Sequence, residues 1–97
     1  MTTHGSLNQE PAIRADLIRR LRTAGGHLTA VERMVEEGAY CIDILRQVAA
    51  VQSSLSKVAH AVSATHMKHC VRDALLAGGG EERIDEMMEA LRYLKHF

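Results

Sequence analysis

The sequence predicts an all-α protein, and three observations support this prediction. Apolar residues recur every three or four positions along most of the chain, which is the spacing of one face of a helix. The only proline is Pro11, so no proline interrupts a helix after that point. Glycines at position 38 and at positions 78–80 then divide the chain into three helical segments.

The composition limits the kind of core that this chain can build. Two tyrosines, one phenylalanine and no tryptophan leave leucine, valine, isoleucine, alanine and methionine to fill it. A chain of 97 residues is expected to form one small domain, and the modest core of such a helical domain favours oligomerisation. We assign residues 11–97 to this single domain and expect residues 1–10 to form a disordered N-terminal arm.

The first two helices are predicted from end signals and apolar spacing. Helix 1 should cover about residues 11–37, because Pro11 suits the first helical position and Gly38 suits the left-handed residue after a helix. Gly25 and Gly26 lie inside helix 1 and are expected to kink or soften it. Helix 2 should cover about residues 39–77, which contain neither proline nor glycine. A helix of this length needs packing along its whole length, which indicates a bundle.

Helix 3 is predicted over about residues 81–96, after the break "AGGGEE". No apolar run approaches the ~18 residues of a membrane span, and the polar N-terminus lacks the apolar centre of a secretory signal. We therefore expect a cytoplasmic protein that does not bind membranes. Its two cysteines should stay reduced there and act as metal ligands, redox groups or core residues.

The chain has no net charge, but its charges are unevenly placed. One acid, Asp16, lies among the arginines at the start of helix 1, which are Arg14, Arg19, Arg20 and Arg22. Residues 81–97 carry five acids and three bases. The neutral total excludes a general attraction to nucleic acid, so any such contact has to come from the local arginine cluster.

Both cysteines and one histidine lie on a single stripe of helix 2. Steps of three or four residues lead from Cys41 to His66 and Cys70 through Leu45, Val48, Gln52, Leu55, Ala59 and Val62. Cys41 and His66 are 25 residues apart, which is ~37 Å along a continuous helix, so one chain cannot bring them to one metal ion. Two such helices packed antiparallel would place Cys41 of one chain beside His66 and Cys70 of the other. Symmetry would then give two identical sites per dimer.

Two sulfurs and one nitrogen form a ligand set that suits a soft ion of low coordination number, such as Cu(I). Zn(II) would need a fourth ligand, which could be water or His69. The alternative interpretation is structural. Cysteines on an apolar stripe are commonly small core residues, and a single histidine there is commonly a hydrogen-bonded core residue. The spacing H-x₃-C alone does not decide between a metal site and a packed core.

The sequence resembles the copper-sensitive operon repressor (CsoR) family of bacterial metal-sensing transcription factors. The resemblance covers about Leu17 to Leu94 and is carried by "GGHLTAVERMVEEGAYCIDILRQVAAVQSSL" and by the spacing C-x₂₄-H-x₃-C. It implies a three-helix protomer, an antiparallel four-helix-bundle dimer and a tetramer made of two dimers. It also implies Cu(I) binding across the dimer interface by Cys41, His66 and Cys70.

The resemblance also implies roles for two neighbours of the metal site. In the copper-sensing branch, the residues equivalent to Tyr40 and Glu86 form hydrogen bonds with the ligand histidine and link the site to helix 3.

Other branches of the family differ from this chain in their ligands. Nickel and cobalt sensors have histidine in place of Cys70 and add an N-terminal histidine, at a position that falls near Gln9 here. His4 lies five residues upstream of Gln9. Persulfide sensors lack the histidine equivalent to His66, and formaldehyde sensors lack the second cysteine at this spacing. The pattern of this chain therefore favours the copper branch.

DNA binding is the second activity that the resemblance implies. The chain has no helix-turn-helix, and family members use basic surface from helix 1 and the middle of helix 2. Arg20 and Lys57 match basic positions of that surface, and the arginine cluster adds Arg14, Arg19 and Arg22. At Thr23-Ala24-Gly25 this chain departs from the family pattern, where charged or bulkier residues are usual.

We therefore expect a Cu(I)-responsive repressor that binds operator DNA as a homotetramer and binds it less tightly with copper, which derepresses copper-resistance genes. The sequence contains no arrangement of catalytic residues, so neither enzymatic activity nor a small-molecule substrate is expected. Two alternatives stay open. One is a nickel, cobalt or zinc sensor of the same family, and the other is a copper-buffering or redox helical protein that does not bind DNA.

Overall fold

The structure is a computed structural model that describes residues 7–97, and these residues form helices joined by short turns. A short 3₁₀-helix, Leu7–Gln9, precedes three α-helices: α1 (Pro11–Glu36), α2 (Cys41–Ala77) and α3 (Gly80–Leu94). Residues 7–97 contain no β-strand, so the predicted all-α class with three main helices is confirmed. The observed helix ends lie at most two residues from the expected limits of about 11–37, 39–77 and 81–96.

The N-terminal arm, expected to be disordered over residues 1–10, is ordered in its last four residues. Residues 1–6, including His4, lie outside the described part of the chain. Leu7–Gln9 form the 3₁₀-helix, and the backbone carbonyl of Glu10 accepts a hydrogen bond from the N–H of Arg14 at 2.9 Å. The expectation of disorder is wrong for residues 7–10 because Glu10 precedes α1 directly and its side chain contacts α2.

Helix α1 runs unbroken through Gly25 and Gly26, where the sequence predicts a kink or a soft point. Both glycines are exposed, and a methyl group added at either would meet nothing within 4 Å. Glycine keeps its backbone N–H, so it can continue a helix that tertiary packing holds in place. At the end of α1, the N–H of Ala39 reaches back to the carbonyl of Met34 at 2.9 Å, around Gly38 at φ +70°. This is a Schellman ending, which needs the left-handed conformation that Gly38 adopts.

Helix α2 determines the long dimension of the molecule. Its 37 residues give a length of about 54 Å, close to the largest extent of the chain, 56 Å. It ends at two glycines with positive φ, Gly78 (φ +81°) and Gly79 (φ +77°), which turn the chain back. Among the described residues, α3 packs on α2 and not on α1. Although α2 is long, neither it nor any other helix of residues 7–97 is apolar enough to cross a membrane.

The core of a single chain is small. Its buried residues are Leu17, Ala24, Val31, Val51, Thr65, His69 and Cys70. The three on α1 recur every seven residues, which is two helical turns, and so form one seam. Along the stripe of α2 that carries the predicted ligands, Leu45 is 61% exposed and Val48 is 45% exposed. A single chain therefore leaves much of this apolar stripe uncovered.

Candidate metal site

Three potential metal ligands converge where α3 folds back on the end of α2. His66 and Cys70 are four residues apart on α2, so their side chains share one side of the helix. Glu86 approaches them from α3, and the ligand atoms of all three residues lie within 4.8 Å of one another. Nε2 of His66 is 3.8 Å from Oε2 of Glu86. An imidazole, a thiol and a carboxylate at these distances can hold a metal ion.

The thiol of Cys70 is protected from solvent. Cys70 is fully buried, and its Sγ donates a weak hydrogen bond to the backbone carbonyl of Arg83 at 3.5 Å. Burial raises the pKa of this thiol above its ordinary value, and the charge of Glu86 raises it further, against the opposing charge of Arg83. A metal ion must displace the thiol proton to bind Cys70, so its binding should tighten as pH rises.

Cys41, the third predicted ligand, lies at the opposite end of α2. It is the first residue of that helix and is exposed, and ~37 Å of continuous helix separates it from His66. Tyr40, expected near the ligand histidine, lies beside Cys41 and is 68% exposed. Both cysteines are free thiols. One chain therefore brings together His66, Cys70 and Glu86 but does not add Cys41 or Tyr40 to them.

His69 does not face this cluster, although the sequence allows it as a fourth zinc ligand. Its side chain is 4% exposed, and its Nε2 lies 3.2 Å from Oε1 of Glu10, just before α1. A carboxylate only accepts hydrogen bonds, so Nε2 of His69 is the donor. One step along a helix turns the side chain by ~100°, which explains why Cys70 faces α3 while its neighbour His69 faces the start of α1.

Sequence reasoning missed both Glu10 and the backbone carbonyl of Arg83. The contact between Glu10 and His69 joins residues 59 positions apart, and such a contact leaves no periodic pattern in the sequence. The carbonyl of Arg83 carries no side-chain signal at all. The burial of His69 shows that this part of α2 is enclosed on more than one side.

An apolar cleft of about 550 Å³ opens beside His66 and Glu86. Its walls come from α2 and α3 and include Val62, Tyr93 and Leu94. Because the cleft lies between these two helices and is open, His66 can be approached from outside the chain. A ligand supplied by a second chain could enter on this side.

The predicted DNA-contacting residues fall into two groups. Arg19, Arg20 and Lys57 line a polar cleft of about 200 Å³ between α1 and α2, whose other lining residues are Thr23, Ala24, His27 and Ser54. Arg14 and Arg22 do not line this cleft. The structure thus places Lys57 of α2 in the same cleft as Arg19 and Arg20 of α1.

Asp16 orients two of these arginines. Its Oδ1 lies 2.7 Å from Nη2 of Arg19, and its Oδ2 lies 2.7 Å from Nε of Arg20. The hydrogen bond from Arg20, followed by that from Arg19, holds the pKa of Asp16 below its ordinary value, so this carboxylate is charged at neutral pH. Exposed pairs of this kind add little stability, and their effect here is to fix the direction of two cations that share one counter-charge.

Comparison with known proteins gives a family. A family model described as "Metal-sensitive transcriptional repressor" matches residues 13–93. The copper-sensing transcriptional repressor CsoR of Mycobacterium ulcerans (strain Agy99) is 41% identical over 76 residues, which are 78% of this chain and 65% of that protein. The chain therefore spans less than two thirds of the length of this relative.

Two solved structures share the fold. The copper-sensing repressor CsoR with Cu(I) from Geobacillus thermodenitrificans NG80-2 is 34% identical, with a TM-score of 0.79 over 89% of this chain and 88% of that one. The nickel-responsive transcriptional regulator InrS is 36% identical, with a TM-score of 0.77 over 82% of this chain and 90% of that one. The family match over residues 13–93 includes Cys41, His66 and Cys70, and this chain belongs to the metal-sensitive transcriptional repressor family.

Proposed function

We propose that the protein is a Cu(I)-responsive transcriptional repressor that acts in the cytoplasm as a homotetramer of antiparallel dimers. The observation that carries this proposal is the separation of the ligands: His66 and Cys70 lie at one end of α2, and Cys41 lies at the other. The Cu(I) site would form between two chains, with Cys41 from one and His66 and Cys70 from the other. Membership of a repressor family supports a regulatory rather than an enzymatic role.

The antiparallel pairing follows from where the ligands lie on α2. Placing Cys41 opposite position 68, the midpoint between His66 and Cys70, puts the twofold axis near positions 54 and 55. The stripe that includes Leu45 and Val48, exposed in one chain, would then be buried against the same stripe of the second chain. Full burial of such a side chain contributes about 1.5–3 kcal/mol, so dimerisation would supply stability that the small core of one chain lacks.

Cu(I) fits the proposed ligand set better than Ni(II) does. Thiolates are soft ligands that favour Cu(I), and Cys41 and Cys70 would supply two of them. The position at which nickel sensors add a histidine falls near Gln9, at the end of the 3₁₀-helix. Copper sensing is also named for the Mycobacterium ulcerans relative, and the Geobacillus structure contains Cu(I).

Glu86 would orient His66 rather than bind Cu(I). Its carboxylate faces Nε2 of His66 at 3.8 Å, and Nδ1 of the same ring would bind the metal. A ligand histidine usually donates its second ring N–H to a partner of this kind. Tyr40 of the second chain, next to Cys41, would join this contact, as the resemblance to the family implies. A change at His66 would thereby reach α3 and alter the affinity for DNA.

Operator DNA would bind on the basic surface of α1 and α2. Arg19, Arg20 and Lys57 share one cleft, and Arg14 and Arg22 would extend the surface along α1. Each phosphate contact releases counterions, so binding should weaken steeply with salt. A tetramer presents this surface four times, which would compensate for a chain with no net charge. Loss of DNA in the presence of Cu(I) would derepress copper-resistance genes.

A mobility-shift assay with the DNA upstream of the protein's own gene tests this function. The metal-free protein should retard the DNA, and Cu(I) added anaerobically, at one ion per chain, should release it. The Cys41→Ser variant is the matched control, which should bind the DNA and ignore Cu(I). Either a lack of binding by the metal-free protein or retention of the DNA at full Cu(I) occupancy would contradict the proposal.

A nickel sensor is the second candidate, and the similarity to InrS favours it. Glu86 adds an oxygen atom to the ligand atoms of His66 and Cys70, a mixed set that a divalent ion accepts. The same assay with Ni(II) shows which ion releases the DNA. An absorption spectrum identifies the bound ion, because Ni(II) bound to thiolates is coloured and Cu(I) is not. Release by a divalent ion and not by Cu(I) would assign a nickel, cobalt or zinc sensor. A copper-buffering or redox protein would bind Cu(I) without retarding DNA.

A further inference from the structure

We infer that Glu10 is a positioning residue that couples the metal site to the DNA-binding helix through its hydrogen bond with His69. This inference rests on the proposed function and adds to it a contact outside the cluster of His66, Cys70 and Glu86. The contact lies on a different face of α2 from the cluster, and it leads to α1 rather than to α3.

The segment of α2 around residues 66–70 is held from two directions. On one side, His66 and Cys70 face α3. On another side, His69 is buried and bonds to Glu10 at the start of α1. The backbone joins Cys70 directly to His69, so a rotation of this helical turn that repositions the metal ligands also turns His69.

The hydrogen bond, and not the neighbouring ion pair, fixes the side chain of Glu10. The side chain of His69 is 4% exposed, and a buried donor that loses its acceptor is left unsatisfied, which is unfavourable. Lys68 also approaches Oε1 of Glu10, at 3.5 Å, but its side chain is 60% exposed. Exposed pairs of this kind contribute little to stability. A movement of His69 is therefore expected to take Glu10 with it.

Glu10 also sets the first turn of α1. Its backbone carbonyl accepts the N–H of Arg14 at 2.9 Å, and Pro11 follows it with a fixed φ. From Glu10 to Arg20 is ten residues, or ~15 Å of continuous helix. A displacement of Glu10 would therefore be transmitted to the arginines that line the polar cleft. This gives the metal site a connection to the DNA surface that does not pass through α3.

Three substitutions of Glu10 separate the hydrogen bond from the charge. Glu10→Ala removes the acceptor, Glu10→Gln keeps an oxygen of the same reach without the charge, and Glu10→Asp keeps the charge on a side chain one methylene shorter. For each variant, operator affinity is measured with and without Cu(I), and the ratio of the two affinities gives the coupling between the sites. We expect Glu10→Ala and Glu10→Asp to lower this ratio by about five-fold or more, whereas Glu10→Gln should keep it within about two-fold of wild type.

Cu(I) affinity without DNA shows whether the substitutions act on coupling or on the metal site itself. It should stay within about two-fold of wild type in all three variants, measured by competition with a chromogenic Cu(I) chelator. Glu32→Ala, which removes an exposed acid from α1, and Lys68→Ala, which removes the ion pair, are the matched controls. Both should keep the wild-type ratio.

An unchanged ratio in Glu10→Ala, with the oligomer intact by sedimentation, would overturn the inference. An equal loss in Glu10→Gln would also overturn it, because the charge and not the hydrogen bond would then matter. If Glu10→Ala does not fold, Glu10→Asp decides, since aspartate is a favourable residue before a helix. Failure of the proposed function would look different, because the wild-type protein itself would then not bind the operator or would not respond to Cu(I).

Discussion

Nε2 of His66 on α2 lies 3.8 Å from Oε2 of Glu86 on α3. The two residues belong to helices that are joined by the reversal at Gly78 and Gly79, so their distance depends on how α3 packs on α2. An imidazole has two ring nitrogens, so one can face Glu86 while the other binds a metal ion in the proposed site. His66 can therefore act both as a ligand and as a contact to a second helix, and the two roles can be separated by substitution.

The His66→Ala variant should still bind Cu(I) but should no longer release DNA. Two thiolates suffice to hold Cu(I), whereas only an interaction that differs between the two conformations can shift their equilibrium. The measurement is a Cu(I) titration of the protein on operator DNA, followed by fluorescence anisotropy. His60→Ala, which removes an exposed histidine from the same helix, should respond like wild type. Copper-driven release by His66→Ala equal to that of wild type would show that the histidine is a passive ligand or a core residue.

Mixed dimers should recover Cu(I) binding that neither parent variant has. Cys41→Ala chains lack the ligand that one chain gives to each site. Chains with both His66→Ala and Cys70→Ala lack the two ligands that the other chain gives. A heterodimer of the two draws all three ligands of one site from intact residues, so refolding an equimolar mixture should give one tight site per mixed dimer. Chelator competition measures this stoichiometry. A mixture with no tight site would rule out ligation across an antiparallel dimer.

Arg20→Ala should weaken operator binding without changing the affinity for Cu(I). Arg20 lines the polar cleft with Lys57, and the loss of one phosphate contact should reduce the salt slope of log K by about 1. Binding is measured at several salt concentrations. Arg46→Ala is the matched control, since Arg46 is 75% exposed and lies on α2 away from the cleft. A wild-type affinity and slope for Arg20→Ala would remove this residue from the DNA surface.

The raised pKa of Cys70 predicts how the stability of the metal-free protein changes with pH. Above the ordinary thiol pKa of 9.0, Cys70 of the unfolded chain ionises while the folded chain keeps the proton. The unfolded state then binds fewer protons, so the free energy of unfolding falls as pH rises through the folded pKa. Below 9.0 this contribution is fully present.

Urea unfolding under reducing conditions, between about pH 8 and about pH 10, measures this dependence. Cys70→Ala should lose less stability over this range than wild type, and Cys41→Ala, which lacks an exposed thiol, should match wild type. Equal slopes for wild type and Cys70→Ala would mean that the buried thiol ionises as readily as a free one.

Alanine at two glycines should change stability in opposite directions. Gly25 is helical with nothing within 4 Å of an added methyl group, so Gly25→Ala should raise the free energy of unfolding by about 1 kcal/mol. Gly38 has φ +70°, where alanine is strained, so Gly38→Ala should lower it by about 1–2 kcal/mol. Denaturation at one fixed protein concentration compares them, because oligomer stability depends on concentration. A destabilised Gly25→Ala would indicate that a second chain packs closely on this face of α1.

Local features of the site could be predicted from the sequence, and contacts between distant segments could not. The four-residue spacing of His66 and Cys70 and the distance to Cys41 follow from helix geometry alone. The place of Glu86 required the resemblance to a family, because it depends on the path of the chain through Gly78 and Gly79. No local pattern indicates the bond between Glu10 and His69. Helix α1 continues through Gly25 and Gly26 despite the low helix propensity of glycine, because packing against α2 outweighs that propensity.

The three proposed ligands lie on one unbroken helix. The number of residues between them therefore fixes their separation along α2 and the angle between them around its axis. One residue inserted between Cys41 and His66 would lengthen the separation by ~1.5 Å and rotate one ligand by ~100° relative to the other. Symmetry would repeat this error at both ends of an antiparallel pair. Insertions and deletions should thus be tolerated in the turn at residues 37–40 or among the glycines after α2, but not between the ligands. The number of residues between the ligands would then be as restricted as the identity of the ligands themselves.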